Sequence, residues 1–186
     1  MIPKANPPGI KQKGQIMQSA RHALGVRAAT LADVAKVDAL LARAYPRLLR
    51  ADYAPSMMVM ALPLISRAKP ALVTCGTYYV VEANDEIIGA GGWTRAAPGR
   101  GTARAGVGNI RHVVTDDRQV RRGVGRALLT HIIAVATEQG ITRLDCLSTL
   151  TARPFYQAMG FAVTGPVLIP LAEGIQFPAV AMWRNL

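Results

Sequence analysis

A chain of 186 residues, 51% of them hydrophobic and only 5% aromatic, has the size and make-up of one domain with a buried core, not of a disordered, collagen-like or fibrous protein. A net charge of +11 favours anionic partners and disfavours a polycationic one. The longest apolar run, residues 57–65, is broken by Pro63 and falls far short of the about 20 residues a membrane helix needs. No membrane partner is therefore expected, and no metal, since Cys75 and Cys146 have no ligand spacing and read as reduced, structural thiols of a cytoplasmic protein.

Residues 1–24 carry Lys4, Lys11, Lys13 and Arg21, with no acid before Asp33. Their prolines and glycines follow no sustained period and read as a flexible basic arm, leaving 25–186 as the single domain. "VRAAT" at 26–30 predicts a short strand ending at a helix cap, because Thr30 followed by Asp33 resembles a capping box. Val34, Val37 and Leu41 mark the buried face of the next helix, closed by Pro46. A second helix is expected from Pro55 to about residue 62, with Pro63 ending or kinking it. Residues 78–81 and Ile87–Ile88 flank the turn formers Asn84 and Asp85 and predict a hairpin. Residues 108–115 read as a further strand. From Val124 an amphipathic helix shows Leu128, Ile132 and Val135 on one face and Gly140 at its end. The strand "TRLDCLS", a short helix "TARPFYQAMG" with Thr151 as its cap, and the strands "FAV" and "AVAMWRN" complete the chain. This order of elements predicts an α/β fold: a central mixed, mostly antiparallel sheet flanked by helices.

Between the strand at 108–115 and the body of the long helix lies "QVRRGVGRALL", residues 119–129. The first amides of a helix lack internal partners and sit in the positive end of its dipole. Gly123 and Gly125 leave those amides, with that of Val124, open to an anion, and Arg121, Arg122 and Arg126 add charge-assisted hydrogen bonds suited to phosphate oxygens. The guest predicted by this chemistry is a pyrophosphate. The spacing matches neither a P-loop, which needs a following Lys, nor a dinucleotide turn, where Leu128 occupies the third glycine position.

Residues 120–125 resemble the acetyl-CoA-binding signature [QR]-x-x-G-x-[GA] of the GNAT N-acetyltransferase superfamily, with Val120 in place of the usual Gln or Arg. "ARPFYQAMGF", residues 152–161, is similar to the family's later "A..FY...GF" signature, and the predicted strand order fits the same topology. The resemblance spans about 25–186. It implies an enzyme that moves an acetyl group from acetyl-CoA, as cosubstrate, to a primary amine of a small molecule or peptide by direct transfer in a ternary complex. It implies that Val113, Val114 and Thr115 bind the pantetheine arm and acetyl carbonyl through their backbone. It implies that Tyr156 is the acid at the departing thiolate. Family members often dimerise, so a homodimer fits.

The family's base is a Glu whose place falls near Asn109, and Asn accepts no proton. His112 is the nearest titratable alternative, although strand alternation sets it opposite Val113; a water relay or an amine of low pKa serves as well. The resemblance implies an acceptor pocket shaped by residues 45–65 and a loop at 166–178; Tyr53, Met57, Met58 and Met60 read as its apolar lining or as core, and Asp52 and Glu173 as attracting a cationic amine or as solvated. Two other readings remain: a CoA-binding fold without turnover, kept alive by the missing Glu, and a basic nucleic-acid module. Nucleic acid is the less expected partner, since no RNA-binding motif and no interleaving of aromatics with arginines is present.

Overall fold

The computed structural model describes residues 24–99 and 101–186, so the proposed basic arm lies outside the described residues except for Leu24. Seven strands form one sheet in the order β1-β2-β3-β4-β5-β7-β6. The strands are β1 (Gly25–Ala28), β2 (Tyr78–Ala83), β3 (Glu86–Thr94), β4 (Val107–Thr115), β5 (Arg143–Ser148), β6 (Ala162–Ala172) and β7 (Ile175–Asn185). Neighbours are antiparallel except β4 and β5, which run parallel across the connection through α4 (Val124–Glu138).

The two sheet faces are covered by different helices. Helix α1 (Val34–Leu49) buries Val37, Leu40, Leu41 and Ala44 against Tyr78, Val80, Ala90 and Val114 on one face. Helix α4 buries Leu128, Leu129, Ile132 and Ala136 against Tyr79, Val81, Ile110, Leu144 and Cys146 on the other. The period-2 alternation of β2 is what lets a single strand feed both cores. Helix α2 (Pro55–Ile65) packs on the far end of the sheet, where Tyr53, Met58 and Phe177 meet. The hairpin turn at Asn84 and Asp85 has φ of 51° and 61°, the left-handed pair a tight antiparallel turn requires.

Several boundaries differ from expectation. Pro46 and Pro63 do not end their helices but lie inside them. Each removes one backbone donor near a helix C-terminus, and burial of Leu49 beyond Pro46 and packing of Ile65 beyond Pro63 hold the final turn. A third helix, α3 (Pro70–Val73), is too short to leave a periodic pattern. Thr151 does not cap α5 (Arg153–Ala158); its hydroxyl donates to Asp52 at 2.6 Å, Ala152 is the N-cap residue, and Thr149 Oγ1 receives the Ala152 amide. Residues 166–178 are not a loop: β6 and β7 form a long hairpin, and Pro166 and Pro170 sit on the edge strand, where a missing N–H breaks no ladder on the open side. Cys146 is buried, but Cys75 is exposed in the turn before β2.

Candidate active site

The strand-to-helix turn predicted to cradle an anion opens with two left-handed residues, Arg121 at φ 68° and Gly123 at φ 85°. Gly123 is the N-cap of α4 and takes a conformation that other residues adopt only with strain. The first bond of the helix ladder runs from the Ala127 amide to the Gly123 carbonyl, at 2.9 Å, so the amides of Val124, Gly125 and Arg126 precede the ladder. Val124 is buried and anchors the turn in the α4-side core, while Arg121, Arg122 and Arg126 are exposed around it. A Cβ on Gly123 would meet nothing within 4 Å; one on Gly125 would stand 3.2 Å from Thr115 Oγ1 and 3.4 Å from the Phe155 ring. The mouth of the helix is thus open at Gly123, ringed by exposed arginines and supplied with free amides, a donor set suited to an anion such as a pyrophosphate.

Strand β4 begins paired to β5 through Val107, Gly108 and Asn109, opposite Arg143, Leu144 and Asp145, and there the pairing stops. Both strands continue, to Thr115 and Ser148, with a gap between them. The cause lies in the other edge of β4. Arg111 pairs with Gly92 and Val114 with Ala90, so His112 and Val113 together face Gly91. This is a β-bulge, with His112 at φ 47°. It reverses the phase of the strand: Ile110 packs in the α4-side core, and Val114, which simple alternation would place beside it, packs under α1. Val113 points to the α4 side and lies partly buried there.

Tyr156 sits on α5 at the α4 side of this gap, 4% exposed, with edge contacts to Phe155 and Phe161 at 5.3 Å each. Burial raises its phenol well above the usual value, and the adjacent Cys146 reinforces the shift. Burial likewise pushes the Cys146 thiol up, to about 12. His112 is set apart from Tyr156 in character. Burial first, then the charges of Arg111 and Lys69, pull its pKa down to about 4. The imidazole is therefore neutral near pH 7 and a weak proton acceptor, poorly matched to an ammonium group. Asn109 is buried, and its side-chain amide donates to the Arg95 carbonyl at 3.1 Å and the Thr94 carbonyl at 3.4 Å. It holds the strand end.

Residues 74–163 match the family profile described as an acetyltransferase (GNAT) domain. This stretch carries the GNAT acetyltransferase domain. Solved structures agree in fold. The GCN5-related N-acetyltransferase of Rhodopseudomonas palustris superposes with a TM-score of 0.71 at 17% identity, over 88% of this chain and 96% of that one. The PaiA N-acetyltransferase of Thermoplasma acidophilum, solved in complex with coenzyme A, gives 0.66 at 11% identity, over 88% and 99%. The ribosomal-protein-S18-alanine N-acetyltransferase of Escherichia coli gives 0.58 at 14%, over 87% and 92%. No curated protein sequence matches the chain.

Other residues around the site escape a reading of motifs. Asp116, fully buried, accepts hydrogen bonds from the Arg118 amide and guanidinium and from Arg43 Nη2 of α1 at 2.7 Å. Those bonds, Arg118's foremost, hold its carboxyl well below the usual range. Asp116 thereby fastens the turn between β4 and α4 to α1. Tyr53, expected in a pocket wall, instead pins three segments: its hydroxyl donates to the Pro178 carbonyl, accepts from the Leu150 amide, and its ring stacks on Phe177 at 4.6 Å. Met58 is core, whereas Met60 is 43% exposed. A cavity of about 440 Å³ opens at the start of the gap, among Arg104, Asn109, Arg143, Asp145, Leu147 and Thr164. Asp145 is the cross-strand neighbour of Asn109 and is paired with both Arg104 and Arg143.

Proposed function

We propose that this chain is an acetyl-CoA-dependent N-acetyltransferase that acts in the cytoplasm on a primary amine of a small molecule or peptide, in one ternary complex. The observation that carries the proposal is the parting of β4 from β5 after Asn109, directly beside the glycine-floored N-terminus of α4. The amides of Gly123, Val124 and Gly125, with Arg121, Arg122 and Arg126, would hold the pyrophosphate. The backbone of Val113, Val114 and Thr115 would accompany the pantetheine arm along the freed edge of β4. Acetyl-CoA supplies an activated acyl group there.

The reaction joins an amine nitrogen to the acyl carbon and breaks the carbon–sulfur bond. The nitrogen gives up a proton, and the sulfur leaves as a thiolate that takes one. A backbone amide at the bulge, near Val113 or Val114, is the donor to the carbonyl oxygen as charge grows on it. Tyr156 is the donor to the sulfur. With its phenol raised above the usual value, full proton loss to a thiolate of pKa about 8.5 is uphill, so its part is a hydrogen bond that follows the developing charge. His112, its pKa lowered to about 4 by burial, is poorly matched to the base, and we assign that place to water in the gap or to an amine that arrives uncharged.

The test is calorimetric titration with acetyl-CoA, for the wild type and Gly125→Glu. The larger side chain would crowd Thr115 and Phe155 and bring a negative charge beside the cradle, and one-to-one binding should weaken. Unchanged binding in the variant would refute the cradle. A second reading, a CoA-binding fold without turnover, is favoured by the fixed, non-basic Asn109. Thiol release with an amine panel separates the two: release with any amine excludes the second.

A further inference from the structure

The α1 side of the gap holds a cation without a counter-ion among the described residues. Arg111 lies two residues past the last β4 residue paired to β5, immediately before the bulge. It is half-buried, and burial pulls its pKa below the ordinary arginine value. It makes one side-chain hydrogen bond among the described residues, from Nη1 to Thr94 Oγ1 at 3.1 Å, and forms no ion pair among them. Residues 1–23 and Arg100 include no acid, so the rest of the chain supplies none. A half-buried guanidinium with one of its five donors spent on a side chain leaves the others for an acceptor that enters the gap.

A second orphan faces it. Tyr78 pairs with Gly92, and Gly92 with Arg111, so the tyrosine and the arginine stand on the same face of the sheet with no side chain between them. Tyr78 is 1% exposed, and its hydroxyl has no hydrogen-bond partner among the described residues. Burial, and after it the nearby phenol of Tyr45, which packs from α1, raises its pKa, while the charge of Arg111 acts the other way. Asn109 and Ile110, the neighbours of Arg111, line the 440 Å³ cavity, where Arg104 and Arg143 outnumber Asp145. The donors are planar and few: a guanidinium fork and one hydroxyl, a set that matches a carboxylate's two oxygens.

We infer that the acceptor amine also carries a carboxylate, seated on Arg111 and the Tyr78 hydroxyl on the α1 side of the gap, opposite the face from which Tyr156 approaches. This rests on the acetyltransferase reading and names its substrate class: amino acids or amino-acid-like amines, not neutral or polycationic ones.

Binding to the CoA-saturated protein tests it without relying on turnover. N-acetyl-L-alanine and N-acetyl-L-phenylalanine would be titrated calorimetrically beside their amides, and thiol release compared for free amino acids and amino-acid amides. The acids should bind about tenfold or more tightly than the amides, the scale of one charge-assisted hydrogen bond. Arg111→Gln should erase that preference, and Tyr78→Phe, which keeps the ring and deletes only the hydroxyl, should reduce it, with CoA affinity unchanged in both. Equal affinity for acid and amide, binding of neither, or a preference that survives both substitutions would overturn the inference while leaving CoA binding intact. Failure of the wild type to bind CoA would instead remove the acetyltransferase reading on which it stands.

Discussion

The hydroxyl of Tyr156 lies in a dry corner between Phe155, Phe161 and Cys146, on the same face as α4. A phenol there stays protonated throughout the ordinary pH range, which suits a donor and rules out a base. Tyr156→Phe keeps the ring packing and deletes the donor. Turnover should fall about 100-fold, within the range for loss of a positioned acid, with acetyl-CoA affinity unchanged by calorimetry. Equal turnover would take Tyr156 out of the reaction. The contrast with His112 is one of environment: both side chains are largely withdrawn from water, but the imidazole is further disfavoured as a cation by Arg111 and Lys69.

At the scale of elements, the gap depends on how closely β3 approaches its neighbours. A Cβ on Gly91 would lie 2.8 Å from the Val113 Cα, a backbone atom at the bulge. The bulge can therefore sit against β3 only because residue 91 has no side chain. Gly91→Ala should destabilise the fold by about 1–3 kcal/mol in chemical denaturation, the usual scale of overpacking, and should lower turnover more than a surface substitution of equal destabilisation. A variant as stable and active as the wild type would mean that β4 parts from β5 for another reason. On the opposite side of the same strand end, Asp116 ties the turn to α1, so the anion cradle and the bulge are held from two directions.

For the whole molecule, the buried titratable groups set how stability varies with pH. The folded pKa of His112, about 4, lies below its ordinary 6.5. Between those values the unfolded chain binds more protons than the folded one, so stability falls as pH drops from about 6.5 to 4. Asp116 and Asp33 also have depressed folded pKa values, through their hydrogen bonds with Arg118 and Arg27 respectively. Their contribution is complete above about pH 4 and is lost below it. Thermal melts from pH 8 to 3 should show a shallow decline followed by a steep one. His112→Asn, a residue that tolerates φ 47°, should flatten the first stage alone. A first stage unchanged in the variant would show that His112 does not titrate in that range.

What the sequence determined by itself is local. Thr30 and Asp33 form the capping box, Asn84 and Asp85 turn the hairpin, and the residues from Arg121 to Arg126 make a helix mouth with free amides and cations. In each case the interacting groups lie within a few residues, so spacing and backbone preference are enough. Prolines near helix ends misled, because packing of Leu49 and Ile65 on distant partners outweighs one missing hydrogen bond. Tertiary structure alone decided the rest. The phase reversal in β4 needs Gly91 on another strand, the gap needs β5 to continue without pairing to β4, Arg43 reaches Asp116 across 73 positions, and Arg111 and Tyr78 share a sheet face on either side of Gly92. Register and burial arise from contacts between segments far apart in the chain, and no short window of residues contains both halves of such a contact.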